Sequence, residues 1–149
     1  MRHTKKAFTM IELIFVIVIL GILAAVAIPK LSATRDDAKV SKMATNLNTL
    51  ISDVGMNYTA VGSLDKWLDI TNVIIMTSAT AEAIATTKVT SPVYLYSDDK
   101  QCIKLVATVN GSLTISEGSD KTDLVCAAVL KTQKNNLKTF SFGGTGIKY

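Results

Sequence analysis

Histidine occurs once in the 149 residues, at His3, and cysteine twice, at Cys102 and Cys126. Without the basic tip that holds His3, the chain has no imidazole to serve as a general base or a metal ligand. Two cysteines cannot by themselves make a four-ligand structural zinc site. Neither GxxxxGK[ST] nor GxGxxG occurs, so the glycine-rich phosphate-binding loops are absent as well. Aromatic residues are 6% and charged residues 19% of the chain. The net charge of +4 is concentrated at the extreme N-terminus, where Arg2, Lys5 and Lys6 stand without an acid among residues 1–7. Beyond them the basic residues nearly balance the acids, which argues against an electrostatic nucleic-acid surface. Nothing in this inventory points to an enzyme.

What the chain does have is apolar and local. Hydrophobic residues make up 48% of it, which argues against wholesale disorder. Mean hydropathy is +0.33, and residues 13–28 carry no polar side chain at all. As a helix, residues 8–28 would be about 30 Å long, the thickness of a bilayer's hydrocarbon core. The run is rich in Ile and Val, but it is too long for a strand. A secretory signal peptide is the competing reading, with Ala25 and Ala27 imitating a cleavage site. Glu12 opposes it, since a carboxylate has no place in a signal-peptide core, and so does the amphipathic helix that continues directly from the run. Glu12 costs on the order of 2.5–3.5 kcal/mol in a membrane helix and calls for a partner. It either snorkels among head groups or meets a cation from another protein.

Lys5-Lys6-Ala7-Phe8-Thr9-Met10-Ile11-Glu12-Leu13, followed by Ile19-Leu20-Gly21-Ile22-Leu23-Ala24-Ala25-Val26-Ala27-Ile28-Pro29, resembles the type IV pilin and type II secretion pseudopilin family. The resemblance implies that a prepilin peptidase cuts between Ala7 and Phe8 and methylates the new amine of Phe8. It places Glu12 at the fifth mature position, a glutamate in most such subunits, where it acts in assembly. Ala7 departs from the glycine that usually precedes the cut, though both are small. The resemblance also implies the partners: the prepilin peptidase, identical or related subunits in a helical polymer, an inner-membrane assembly platform and membrane lipid. Lys30, Arg35, Lys39 and Lys42 follow the span closely, so positive charge alone does not orient it. The extracytoplasmic placement of the head comes from the resemblance.

The expected fold is α+β and pilin-like, a long N-terminal helix packed on a small antiparallel sheet. The expected divisions are a leader at 1–7, a membrane or filament-core helix at 8–29, an amphipathic helix at 30–61 and a globular head at 62–149. Pro29 lacks an amide donor and predicts a kink, with Gly21 a second candidate position. Val40, Met43, Ala44, Leu47, Leu50, Ile51, Val54, Tyr58 and Val61 fall within an arc of about 120° on a helical wheel, with Met56 the misfit. Gly62 is the expected stop. Residues 64–91 predict a short helix and loops, the stretch 79–87 being rich in Ala and Thr.

Pro92 opens a strand at 93–97, a turn at Asp98, Asp99 and Lys100, and a strand at 101–109. Asn110-Gly111 then reads as a two-residue hairpin loop before a strand at 112–117. That loop would set Val106 against Ile115, Thr108 against Leu113 and Lys104 against Glu117, with Cys102 on the same, core-facing side. Asp120 or Thr122 is the expected cap of a helix at 124–130. A last strand at 137–142 precedes a tail holding Gly143, Gly144 and Gly146.

Outside the cytoplasm a lone cysteine pair favours a Cys102–Cys126 disulfide, the alternative being two buried thiols. A disulfide in the C-terminal part of the head also agrees with many type IV pilins. Some pseudopilins bind calcium, and Asp98, Asp99, Glu117, Ser119, Asp120 and Asp123 are oxygen-bearing. Their spacing matches no calcium loop, and turn and cap chemistry accounts for them. No metal and no cofactor is expected. The functions implied are a type IV pilus subunit, a type II secretion pseudopilin or, from another class, a tethered extracytoplasmic binding domain that never polymerises.

Overall fold

The computed structural model describes residues 8–78 and 87–143. Ala7, and with it the expected cleavage bond, lies outside the described residues, as do Gly144, Gly146 and most of the Ala/Thr-rich stretch. One 52-residue helix, α1 (Met10–Val61), precedes a short α2 (Trp67–Ile70). Then come β1 (Val93–Ser97), β2 (Lys100–Thr108), β3 (Ser112–Glu117), α3 (Leu124–Thr132), a 3-10 turn at Lys134–Asn136 and β4 (Thr139–Ser141). The four strands form one antiparallel sheet in the order β1-β2-β3-β4. This is the α+β, pilin-like layout expected: a long helix packed on a small antiparallel sheet.

The chain divides between Asp36 and Asp37 into two compact units. In the first, α1 contains one stretch long and apolar enough to cross a membrane, and none of that stretch is buried. Leu13, Phe15, Ile17, Leu20, Leu23 and Ile28 are all exposed. Such a face is stable in lipid or against other apolar helices, not in water.

In the second unit, the same helix has its apolar residues in a stripe. Met43, Leu47, Leu50 and Val54 are buried, at the i, i+4, i+7 and i+11 positions that share one helical face. Val40, Ile51 and Tyr58 pack beside them, whereas Val61 and Met56 are exposed. Full burial contributes roughly 1.5–3 kcal/mol for each such side chain. Val61 ends the helix, and Gly62 follows with φ +78°, its N–H reaching the Tyr58 carbonyl at 2.8 Å. That left-handed residue is the expected stop.

The core joins α1 to one face of the sheet. Val93 and Leu95 of β1, Ile103, Leu105 and Ala107 of β2, and Leu113 and Ile115 of β3 are all buried. The β2–β3 hairpin differs from its expected register. Ala107 pairs with Leu113, Leu105 with Ile115 and Ile103 with Glu117, one residue away from the expected pairing. The loop is 109–111, three residues rather than two. The Gly111 N–H reaches the Thr108 carbonyl at 3.1 Å, and Gly111 has φ +78°. A turn followed by a left-handed glycine is the three-residue hairpin solution, and the one-residue difference exchanges faces. Val106 and Lys104 therefore lie off the core face, with Lys104 opposite Ser116 and Tyr94.

Cys102, expected on the core side, lies at a bulge, between the Leu95–Ile103 and Tyr96–Gln101 pairs, and belongs to the same buried core as Ile103. It is fully buried, and α3 packs against β2. The expected last strand at 137–142 is shorter, with only Thr139–Ser141 paired to β3.

Candidate functional site

Two places concentrate chemistry: the start of α1, and the end of the sheet where the cysteines lie. The first is built from Thr9 and Glu12. The Thr9 N–H donates to Glu12 Oε2 at 2.8 Å, the Thr9 hydroxyl donates to the same oxygen at 2.7 Å, and the Glu12 N–H donates to Thr9 Oγ1 at 3.3 Å. This is a reciprocal capping box, a threonine and a glutamate three residues on satisfying each other's groups at a helix start. The negative side chain also sits at the positive end of the helix dipole. Sequence reading singled out Glu12 but not Thr9. The signal was legible, since Thr9-Met10-Ile11-Glu12 before an apolar run is the capping-box pattern.

Phe8 precedes the box and is 85% exposed. Gly21 lies within α1, and a Cβ there would meet nothing within 4 Å. Pro29 also lies inside the helix, where it has no N–H to offer the Ala25 carbonyl.

At the second place Cys102 and Cys126 form a disulfide with a Cα–Cα distance of 4.7 Å. It joins β2 to α3 across a separation of 24 residues, a closure worth roughly 3 kcal/mol on the chain-entropy account. The helix cap is Asp123, not Asp120 or Thr122. Asp123 Oδ1 accepts from the Val125 and Cys126 N–H groups at 3.0 and 3.1 Å. Asp120 has a different task, its Oδ2 accepting from the Gln101 N–H at 2.8 Å. Gln101 holds the surrounding loops: its Nε2 donates to the Tyr96 hydroxyl at 2.7 Å, and its Oε1 accepts from the Ser119 hydroxyl at 2.7 Å. A Cβ at Gly118 would overlap the Gln101 carbonyl, so only glycine permits the strand and the loop to approach this closely.

The carboxylates named as oxygen-bearing each have other partners. Asp98 pairs with Lys39 at 2.6 Å, Asp99 with Lys100 at 3.2 Å and Glu117 with Lys121 at 3.4 Å. Asp120 and Asp123 are held by backbone amides. Among the described residues, no group of three or more His, Cys, Asp or Glu side chains is placed to hold a metal ion.

An exposed apolar helix entered through a threonine–glutamate cap, and a disulfide-closed α+β head, make up a pilin-like layout. Residues 2–28 match the prokaryotic N-terminal methylation motif. The chain is also similar to the type II secretion system core protein G of Klebsiella michiganensis and to that of Pseudomonas aeruginosa, each at 36% identity over 55 residues. Those residues are 37% of this chain and 39% of either relative, so the match spans well under half of the curated proteins. No solved structure gives a significant match. Motif and relatives together support the pilin and pseudopilin family.

Proposed function

We propose that the chain is a structural subunit of a type IV pilus filament, used in adhesion, motility or DNA uptake, and is not an enzyme. A prepilin peptidase cuts between Ala7 and Phe8 and methylates Phe8. The subunit is stored in the inner membrane with its head in the periplasm. An assembly platform then draws it into a helical polymer with identical or related subunits. The carrying observation is the methylation motif at residues 2–28 leading into an apolar helix with no buried face. Lipid covers that face in storage, and neighbouring helices cover it in the filament. Gly21 and Pro29 are the positions at which the helix would bend. A second reading, a type II secretion pseudopilin, is favoured by the names of both curated relatives, whereas the disulfide favours the pilus. Electron microscopy of cells with and without the gene, beside a secretion assay, separates the two. Lost surface fibres with intact secretion support the pilus; the opposite result supports the pseudopilus.

In this reading Glu12 aligns subunits by meeting the methylated amine of Phe8 on a neighbour. Both charges are costly in an apolar surround, and pairing relieves both penalties. The capping box makes a sharp test available. Glu12→Gln keeps a side chain that can close the box but removes the charge, whereas Glu12→Ala removes both. If charge pairing drives assembly, the two variants lose sheared-filament yield alike, normalised to mature protein in the membrane. If Glu12→Gln assembles at the parental level, Glu12 is a helix cap and no more.

A further inference from the structure

Asn110 is the one asparagine in the chain with a glycine after it. Beyond setting the hairpin turn, the pair carries a reaction of its own. The Gly111 nitrogen can attack Cγ of the Asn110 side chain, closing a five-membered succinimide. The Cγ–Nδ2 bond breaks, and the Gly111 amide proton leaves with that nitrogen as ammonia. Water then opens the ring, at Cγ to give aspartate or at the main-chain carbonyl to give isoaspartate. In sum one water is consumed and one ammonia released. Glycine favours the attack because no Cβ stands beside the nucleophilic nitrogen. After the other asparagines come Leu47, Thr49, Tyr58, Val73, Asn136 and Leu137, each with a side chain in the way.

In the folded head the Asn110 side chain is exposed, but the nitrogen that must attack it is held. Gly111 is buried. Its N–H donates to the Thr108 carbonyl at 3.1 Å, and its carbonyl accepts from the Phe142 N–H at 2.8 Å. The following amide, of Ser112, donates to Thr108 Oγ1 at 3.2 Å. The Tyr58 ring fills the space where a Gly111 Cβ would stand, and a Cβ on Gly143 would lie 2.9 Å from the Asn110 carbonyl oxygen. Ring closure turns the Asn110–Gly111 peptide towards the Asn110 side chain, away from these partners and against the ring. We infer that Asn110 is a site of spontaneous deamidation gated by the fold. The corner of Tyr58, Gly111 and Phe142 keeps the reaction shut, and local opening releases it. A chain that opens is marked with a new carboxylate, or with a lengthened main chain in a loop packed against Tyr58 and Gly143.

This inference does not rest on filament formation and is tested on the full-length chain in detergent micelles at mildly alkaline pH. Peptide mapping by mass spectrometry follows deamidation at each asparagine, in native buffer and in urea. In urea Asn110 is expected to react faster than every other asparagine. In the native chain its rate is expected to fall by a factor of about ten or more, because reaction waits for opening. Tyr58→Ala removes the ring and is expected to raise the native rate at Asn110, with fluorescence of the single, buried Trp67 reporting that the head stays folded. Amide exchange at Gly111 checks the same gate in the parental chain and is expected to be slow. A native rate equal to the urea rate would overturn the inference, and so would free exchange at Gly111. It would also fall if Asn110 reacted no faster in urea than the other asparagines, or if a folded Tyr58→Ala chain kept the parental rate.

Discussion

Thr9 and Glu12 divide the tasks of the N-terminus between a hydroxyl and a carboxylate. The hydroxyl both donates to Glu12 and accepts the Glu12 amide, so Thr9→Val removes two of the three bonds and keeps the shape. Losing a cap of this kind costs about 0.5–2 kcal/mol of local helix stability. Faster amide exchange is expected at Ile11 and Glu12 in the Thr9→Val chain, and unchanged exchange would mean that the box is not closed in lipid. At this scale the sequence was a good guide to which residues matter and a poor guide to their partners. Glu12 stood out because a charge in an apolar run is expensive. The cap of α3 was misjudged because Asp120, Thr122 and Asp123 are all competent oxygens, and only the chain path decides which one reaches the free amides. Asp120 was already committed to Gln101 from the other side.

Among the elements, the long helix and β1 were legible from periodicity and from flanking Gly and Pro. The hairpin shows where such reading stops. Asn110-Gly111 marks a turn correctly, but whether glycine is the second or third loop residue depends on what the loop packs against. Here it packs against α1. A Cβ on Gly111 would come within 2.5 Å of the Tyr58 ring, and Gly111 also holds φ +78°. Its carbonyl receives the Phe142 N–H at 2.8 Å, which ties the end of the chain's last strand to the same corner. Gly111→Ala therefore meets both backbone strain and a ring. It is expected to destabilise the head by about 1–3 kcal/mol, read as a lowered midpoint of Trp67 fluorescence. A midpoint at the parental value would show that Tyr58 moves aside freely.

At the scale of the whole molecule, the apolar run and the FTMIEL pattern pointed to the pilin and pseudopilin family from 30 residues, and the methylation motif matches there. The head's topology rested on weaker signals, because its core is assembled from residues far apart in the chain. The expected processing has a direct measurement. Intact mass of the membrane-extracted protein should correspond to a chain beginning at Phe8 and carrying one added methyl group. A mature species still beginning at Met1, or one starting after Ala27, would refute it. If that product enters a polymer as proposed, the cap at Thr9 sets the terms of entry. Both bonds that Thr9 donates fall on Glu12 Oε2, which leaves Oε1 to meet a neighbour's amine while the cap stays closed. The helix start would then be the same in lipid and in the polymer, and a subunit returned to lipid would keep its first turn closed, ready to be used again.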